Sequence, residues 1–183
     1  MPCSITSGYA LNCKDTLGGI SAVYMTTDDL GALTIGNDDG ITAVGGTSIT
    51  LYKYDLKGAN GLETAVTSSS EAGTTYFEST LTLQLPKLTA VQQKETKLLA
   101  YTRPRIFVET RNGDVLLMGE AYGCELTAGN FSSGVQMADF NGINLTFTAQ
   151  EAVGPRFVTL ADATAADPFA GDDDITVTVG TNS

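Results

Sequence analysis

Thr75 to Leu85 reads TYFESTLTLQL. Phe77, Leu81, Leu83 and Leu85 take alternate positions, with Glu78, Thr80, Thr82 and Gln84 between them. A period of two, apolar on one side and polar on the other, specifies a β-strand that covers a core with one face and meets water with the other. Toward the amino terminus, Thr47 to Asp55 (TSITLYKYD) repeats the pattern with Ile49 and Leu51. Between the two lies LKGANGLETAVTSSSEAGT, where a weaker strand at about Leu62 to Ser68 is flanked by glycine-bearing turns. The whole, from Leu56 to Tyr76, reads as a long, lightly anchored hairpin that is too poor in large apolar side chains for a deep core.

On the carboxyl side, KLTAVQQKETKLLAYT brings Leu88, Val91, Leu98 and Leu99 to one face at helical spacing, which predicts a helix over about 88–101. Pro86 and Pro104 bracket it. RIFVETRNGDVLLMGEA then reads as a hairpin about Asn112-Gly113, and YGCELTAG as a third strand broken at Gly123. A Gly- and Ser-rich loop from Asn130 to Gly142 leads into Ile143 to Ala149, which alternates like the opening stretch and ends at Glu151. In that corner, Asp139 and Asn141 are expected to cap their own backbone, with Glu151 marking the strand's exit toward water or a neighbour's arginine. Ile20 to Met25 is the first credible strand; residues 1–19 before it read as an arm and 20–160 as the domain. Residues 161–183 read as an acidic small-residue linker followed by the β-prone ITVTVG. One helix on a β-rich body makes the class α+β, dominated by β.

Composition sets the limits on function. The chain has 183 residues, 42% hydrophobic and 17% charged, enough for one domain with one sizeable core. With no histidine, neither a Ser–His–Asp nor a Cys–His nucleophile can be written, and nothing brings lysines or carboxylates together, so no enzyme activity is expected. The net charge of −11 repels a polyanion instead of offering it a basic footprint. Asp28-Asp29, Asp38-Asp39 and Asp172-Asp173-Asp174 lack the alternating oxygens of a calcium loop, and no cofactor motif is present. Cys3, Cys13 and Cys124 are expected as reduced thiols, with a Cys3–Cys13 bridge as the alternative. No apolar run approaches the ~18 residues of a membrane-spanning helix, and the amino terminus shows no secretory leader, so synthesis in the cytoplasm is expected. Arg103 and Arg105 in AYTRPR form the one local positive cluster.

The order of long hairpin, single helix, tight hairpin and glycine-rich loop into a strand ending in Glu resembles the major tail-tube proteins of tailed bacteriophages. CKDTLGGI, RNGDVLLMGEAYG and GVQMADFNGINLTFTAQE also resemble structural proteins from phages of Bacteroidetes-type hosts. The resemblance implies a β-sandwich or partly closed barrel flanked by the helix, its subunits forming hexameric rings that stack into a virion tail tube assembled in the host cytoplasm. It also implies other tail proteins as partners and genomic DNA passing through the lumen unbound. Glu78, Thr80, Thr82 and Gln84 would then face the lumen. Lys57, Glu63, Glu71, Arg103, Arg105 and Glu151 are candidate contacts between subunits, with the Leu56–Tyr76 hairpin reaching the next ring and the 1–19 arm a second contact. Another ring-forming tail or neck component, or a capsid decoration or glycan-binding β-sandwich, is the alternative; the absence of Trp counts against a glycan platform.

Overall fold

The computed structural model describes residues 8–9, 14, 16–161, 163–164, 167–172 and 174–179. Most of the 1–19 arm, with Cys3 and Cys13, therefore lies outside the described residues. In chain order the elements are β1 (Ile20–Thr26), β2 (Leu33–Ile35), β3 (Ile41–Val44), β4 (Ile49–Asp55), β5 (Gly61–Ser69), β6 (Thr74–Pro86), α1 (Ala90–Tyr101), β7 (Arg105–Thr110), β8 (Val115–Met118), β9 (Glu125–Ser132), β10 (Gly142–Glu151), β11 (Arg156–Val158) and β12 (Ile175–Val179). They form an eight-stranded sheet ordered β12-β4-β1-β7-β8-β11-β3-β2 and a four-stranded sheet ordered β5-β6-β10-β9. The protein is thus a mainly β sandwich with a single helix at its side.

The alternation of β6 and β10 builds the sandwich. Leu81, Leu83 and Leu85 of β6 register with Phe147, Leu145 and Ile143 of β10, and all six are buried against Val23, Met25, Ile106, Val108 and Met118 of the larger sheet. β1 and β7, central in that larger sheet, are buried on both faces. Their second faces supply Ala22, Tyr24 and Phe107 to another core, shared with Leu30, Ile41, Ile49, Leu51, Val115, Leu117, Val158 and Leu160. Strands from both flanks of the eight-stranded sheet meet in this second core, so the sheet curls over itself. Its terminal strands β12 and β2 do not pair, and no closed barrel results.

The end of the chain completes the second core. Phe169 is 3% exposed and packs edge-on against Tyr24 and Phe107, with ring centroids 4.9 and 5.2 Å away. The stretch read as an acidic linker therefore carries a core anchor. After it, β12 pairs in parallel with β4 from Ile175↔Ile49 to Val179↔Lys53, as the added edge strand.

The helix differs from the sequence reading. It begins at Ala90, with the Thr89 side chain accepting from the Gln92 amide at 3.3 Å as N-cap. Its inward face is Gln92, Glu95, Thr96 and Leu99, whereas Val91 and Leu98 are 67% and 49% exposed. Thr96 is buried because its hydroxyl donates to the Gln92 carbonyl at 2.8 Å, which removes the cost of enclosing it. Leu99 alone of the four apolar residues in the expected stripe packs on the first core.

YGCELTAG does not extend the β7–β8 hairpin but crosses between the sheets. Gly119 and Gly123, at φ of 79° and 73°, make the corner, and a side chain on Gly123 would run into the backbone of Arg103. The Cys124 amide donates to the Pro104 carbonyl at 2.8 Å, fixing where β9 begins.

Candidate functional site

The smaller sheet presents its outer face to solvent, and register across its strands sets the rows. Thr82 of β6 stands beside Thr146 of β10, Thr80 beside Thr148, Gln84 beside Asn144, and Glu78 beside Gln150. β5 extends these rows with Glu63 opposite Thr80 and Ala65 opposite Glu78; β9 extends them with Ala128 opposite Thr146 and Asn130 opposite Asn144. The result is a lattice of hydroxyls, amides and carboxylates, cross-linked where the Gln150 amide donates to Glu78 at 3.1 Å.

None of the chain's ten lysines and arginines lies in β5, β6, β9 or β10. The four expected polar residues of β6 are therefore one column of a larger cation-free surface. The alternation of β10 is legible in the sequence, but only the observed register sets its polar face beside that of β6.

Both edges of this sheet are open. Among the described residues, β5 pairs only with β6, and β9 only with β10. The Glu63–Ser68 segment of β5 is exposed on both faces, as are most residues of β9. Unpaired edge groups in a four-stranded sheet form a template for a further strand. Beside β9 the helix holds a groove of about 630 Å³, between Ala90, Lys94, Lys97 and Ala100 on one wall and Gly129 and Phe131 on the other.

The β5–β6 hairpin is longer than the sheet. The pairing of β6 with β10 stops at Phe77↔Glu151, while β5 and β6 continue to Ser69↔Thr74. Its arms are β5 and β6, and Leu56, read as its start, is instead buried in the first core. Asn60 closes the other end: its side-chain oxygen accepts from the Gln84 amide at 2.7 Å, filling the ladder position where β5 has not yet begun.

The candidate contact residues separate into free and engaged groups. Lys57, Glu63 and Glu71 are exposed and make no ion pair among the described residues. Arg103 pairs with Glu125 of its own chain at 2.8 Å. Arg105 donates to the carbonyls of Glu120 and Asp28 and lies 3.8 Å from Asp29. Glu151 departs from expectation: it is 9% exposed, and its carboxylate accepts the Ala121 amide at 2.7 Å and the Tyr122 amide at 3.4 Å. It ties the β8–β9 corner to the end of β10 instead of leaving the core for water. Close by, burial first and then the Glu151 charge hold the Cys124 thiol well above its ordinary pKa, and it stays protonated.

Asp139 caps its loop, as the sequence suggests, but backward: one carboxylate oxygen accepts from Val135 at 2.9 Å and from Gln136 at 2.8 Å. The Gln136 amide, then that of Val135, lower its pKa from the ordinary value. Gly142 serves close approach, since a side chain there would overlap the Leu85 carbonyl and the Phe140 ring.

No family model matches the chain, and no curated protein does. Among solved structures, a chain described as from the "Virion of native gene transfer agent (GTA) particle" is similar at a TM-score of 0.36 and 10% identity, over 82% of this chain and 100% of that one.

Proposed function

We propose that the protein is a virion structural subunit, the tail tube of a phage-like particle, in which six copies form a ring, rings stack, and the smaller sheet lines the bore. The observation that carries this reading is the cation-free outer face of a sheet whose two edges are both open. A wall that conducts duplex DNA must not hold it. Lys and Arg are the side chains that would capture phosphates, and hydroxyls and amides with scattered carboxylates leave the polyanion hydrated and weakly repelled.

Open edges supply the closure. If β5 of one copy pairs with β9 of the next, each edge is satisfied and the contact is head-to-tail, the kind that generates rings. Six four-stranded sheets at ordinary strand spacing and tilt give a barrel roughly 50 Å across between backbones and about 35 Å clear inside the side chains, which admits a DNA duplex. The hairpin, longer than the sheet, reaches the neighbouring ring, and the 1–19 arm provides a second tie. The role is one of assembly and passage, without catalysis.

Light scattering and negative-stain microscopy of the purified protein over a concentration series test this. Rings or tubes that dissociate when Thr64 and Val66 of β5 are both changed to Pro support it. A monomer at every concentration refutes it.

A further inference from the structure

The smaller sheet has two unlike ends. At one end the hairpin stands alone: Thr67–Ser69 of β5, the turn 70–73 and Thr74–Tyr76 of β6 project past the last residue pair of β10, about 10 Å of strand plus the turn. Glu71, exposed in the turn, is the only charge in this projection, and Tyr76 at its base is 36% exposed. At the other end three loops, 57–60, 86–89 and 133–141, make a platform. The Asn60 side chain donates to the Lys57 carbonyl at 3.3 Å, and the Lys87 amide donates to the Asn141 carbonyl at 2.8 Å. Asp139 braces the third loop through the amides of Val135 and Gln136.

That brace holds Val135 and Met137 fully in water, at 98% and 109% exposure. Two apolar side chains two positions apart and fully exposed on one loop form an apolar spot open to a partner. The platform also carries Lys57 and Lys87, both exposed and neither in an ion pair among the described residues, on a chain of net charge −11. The single carboxylate of the three loops, Asp139, is turned into its own loop. A free carboxylate at one pole and two free ammonium groups at the other suit a head-to-tail contact between copies, whereas an end-to-end two-fold contact would set like against like.

We propose that the hairpin of one copy seats on this platform of a second copy in the next ring, with Glu71 between Lys57 and Lys87, and Tyr76 against Val135 and Met137. The inference rests on the tail-tube reading and names the surface that receives the hairpin. Asp139 is a positioning residue for it. The lateral β5–β9 contact runs through the backbone edges of those strands, which the charge reversals at Glu71, Lys57 and Lys87 leave untouched, so the two separate by experiment.

The test compares wild type with Glu71→Lys, with Lys57→Glu/Lys87→Glu, and with all three changes combined, by sedimentation velocity and negative-stain microscopy. The altered side chains are exposed, and thermal melts of the dissociated subunits check that each variant folds. Wild type is expected to form stacked rings. Each charge reversal should leave single rings and raise the protein concentration needed for stacking by about tenfold or more, and the combination should restore stacking. Stacking by Glu71→Lys at wild-type concentrations overturns the proposal, as does failure of the combination to rescue. Wild-type rings that never stack overturn it while leaving the lateral contact standing. A wild type that forms no rings sinks both.

Discussion

Replacing Phe169 with Ala removes a ring that is 3% exposed and sits edge-on to Tyr24 and Phe107. Truncating a buried Phe costs about 3–5 kcal/mol, part of it from the two edge-to-face contacts at roughly 0.5–1.5 kcal/mol each. For a chain of this size each kcal/mol moves the midpoint by about 2–4 °C, so the melting temperature should fall by roughly 6–20 °C. Calorimetry and urea unfolding of the dissociated subunit measure this, with Phe157→Ala as control, because Phe157 is 52% exposed. The expected order is a loss of about 1 kcal/mol or less for Phe157→Ala and several for Phe169→Ala. Equal, small losses would mean that residues 161–174 are the linker their composition suggests and that the second core closes without them.

Three further outcomes follow from the geometry. Gly142→Ala drives a methyl group into the Leu85 carbonyl and the Phe140 ring, forcing β6 and β10 apart at their shared end; a loss of about 2–4 kcal/mol in urea is expected, and a neutral change would refute the close approach. The Asp139 carboxylate has a folded pKa below its unfolded value, so its contribution is full above the unfolded pKa, near 3.9, and is lost as pH falls through the folded one. Hydrogen exchange at the Val135 and Gln136 amides should accordingly be slow at neutral pH in wild type and fast in Asp139→Ala, with no difference if the brace is absent. Thr82→Lys/Thr146→Lys places cations side by side on the outer face. Assembled wild type should flow through a duplex-DNA column at low salt and assembled variant should be retained until salt is raised; retention of wild type would contradict the cation-free wall.

How far the sequence could be read depended on what each strand faces. β6 and β10 have a core on one side and water on the other, and their period of two named both faces correctly, including the polar column Glu78, Thr80, Thr82 and Gln84. β1 and β7 are enclosed on both sides, so ISAVYMT and RIFVET read as strands without revealing that two cores meet at them. The helix was located by its formers and prolines, but its inner face is Gln92, Glu95 and Thr96, polar residues that no apolar period can announce. Phe169 is a lone aromatic among Ala, Asp and Gly, and only the fold brings it to Tyr24. Glu151 looked like a strand's exit because a terminal carboxylate is ordinarily solvated; here two amides of the β8–β9 corner take that place. What would pair with the open edges β5 and β9 is not written in any local pattern.

The claim at the centre is that the outer face of the smaller sheet becomes an inner wall. A cryo-electron microscopy reconstruction of the assembled protein tests it most directly. The expected result is a bore ringed by Thr80, Thr82, Thr146 and Thr148, with β5 of each copy hydrogen-bonded to β9 of the next. A bore lined by the eight-stranded sheet or by α1, with the Thr-rich face turned outward, would contradict it.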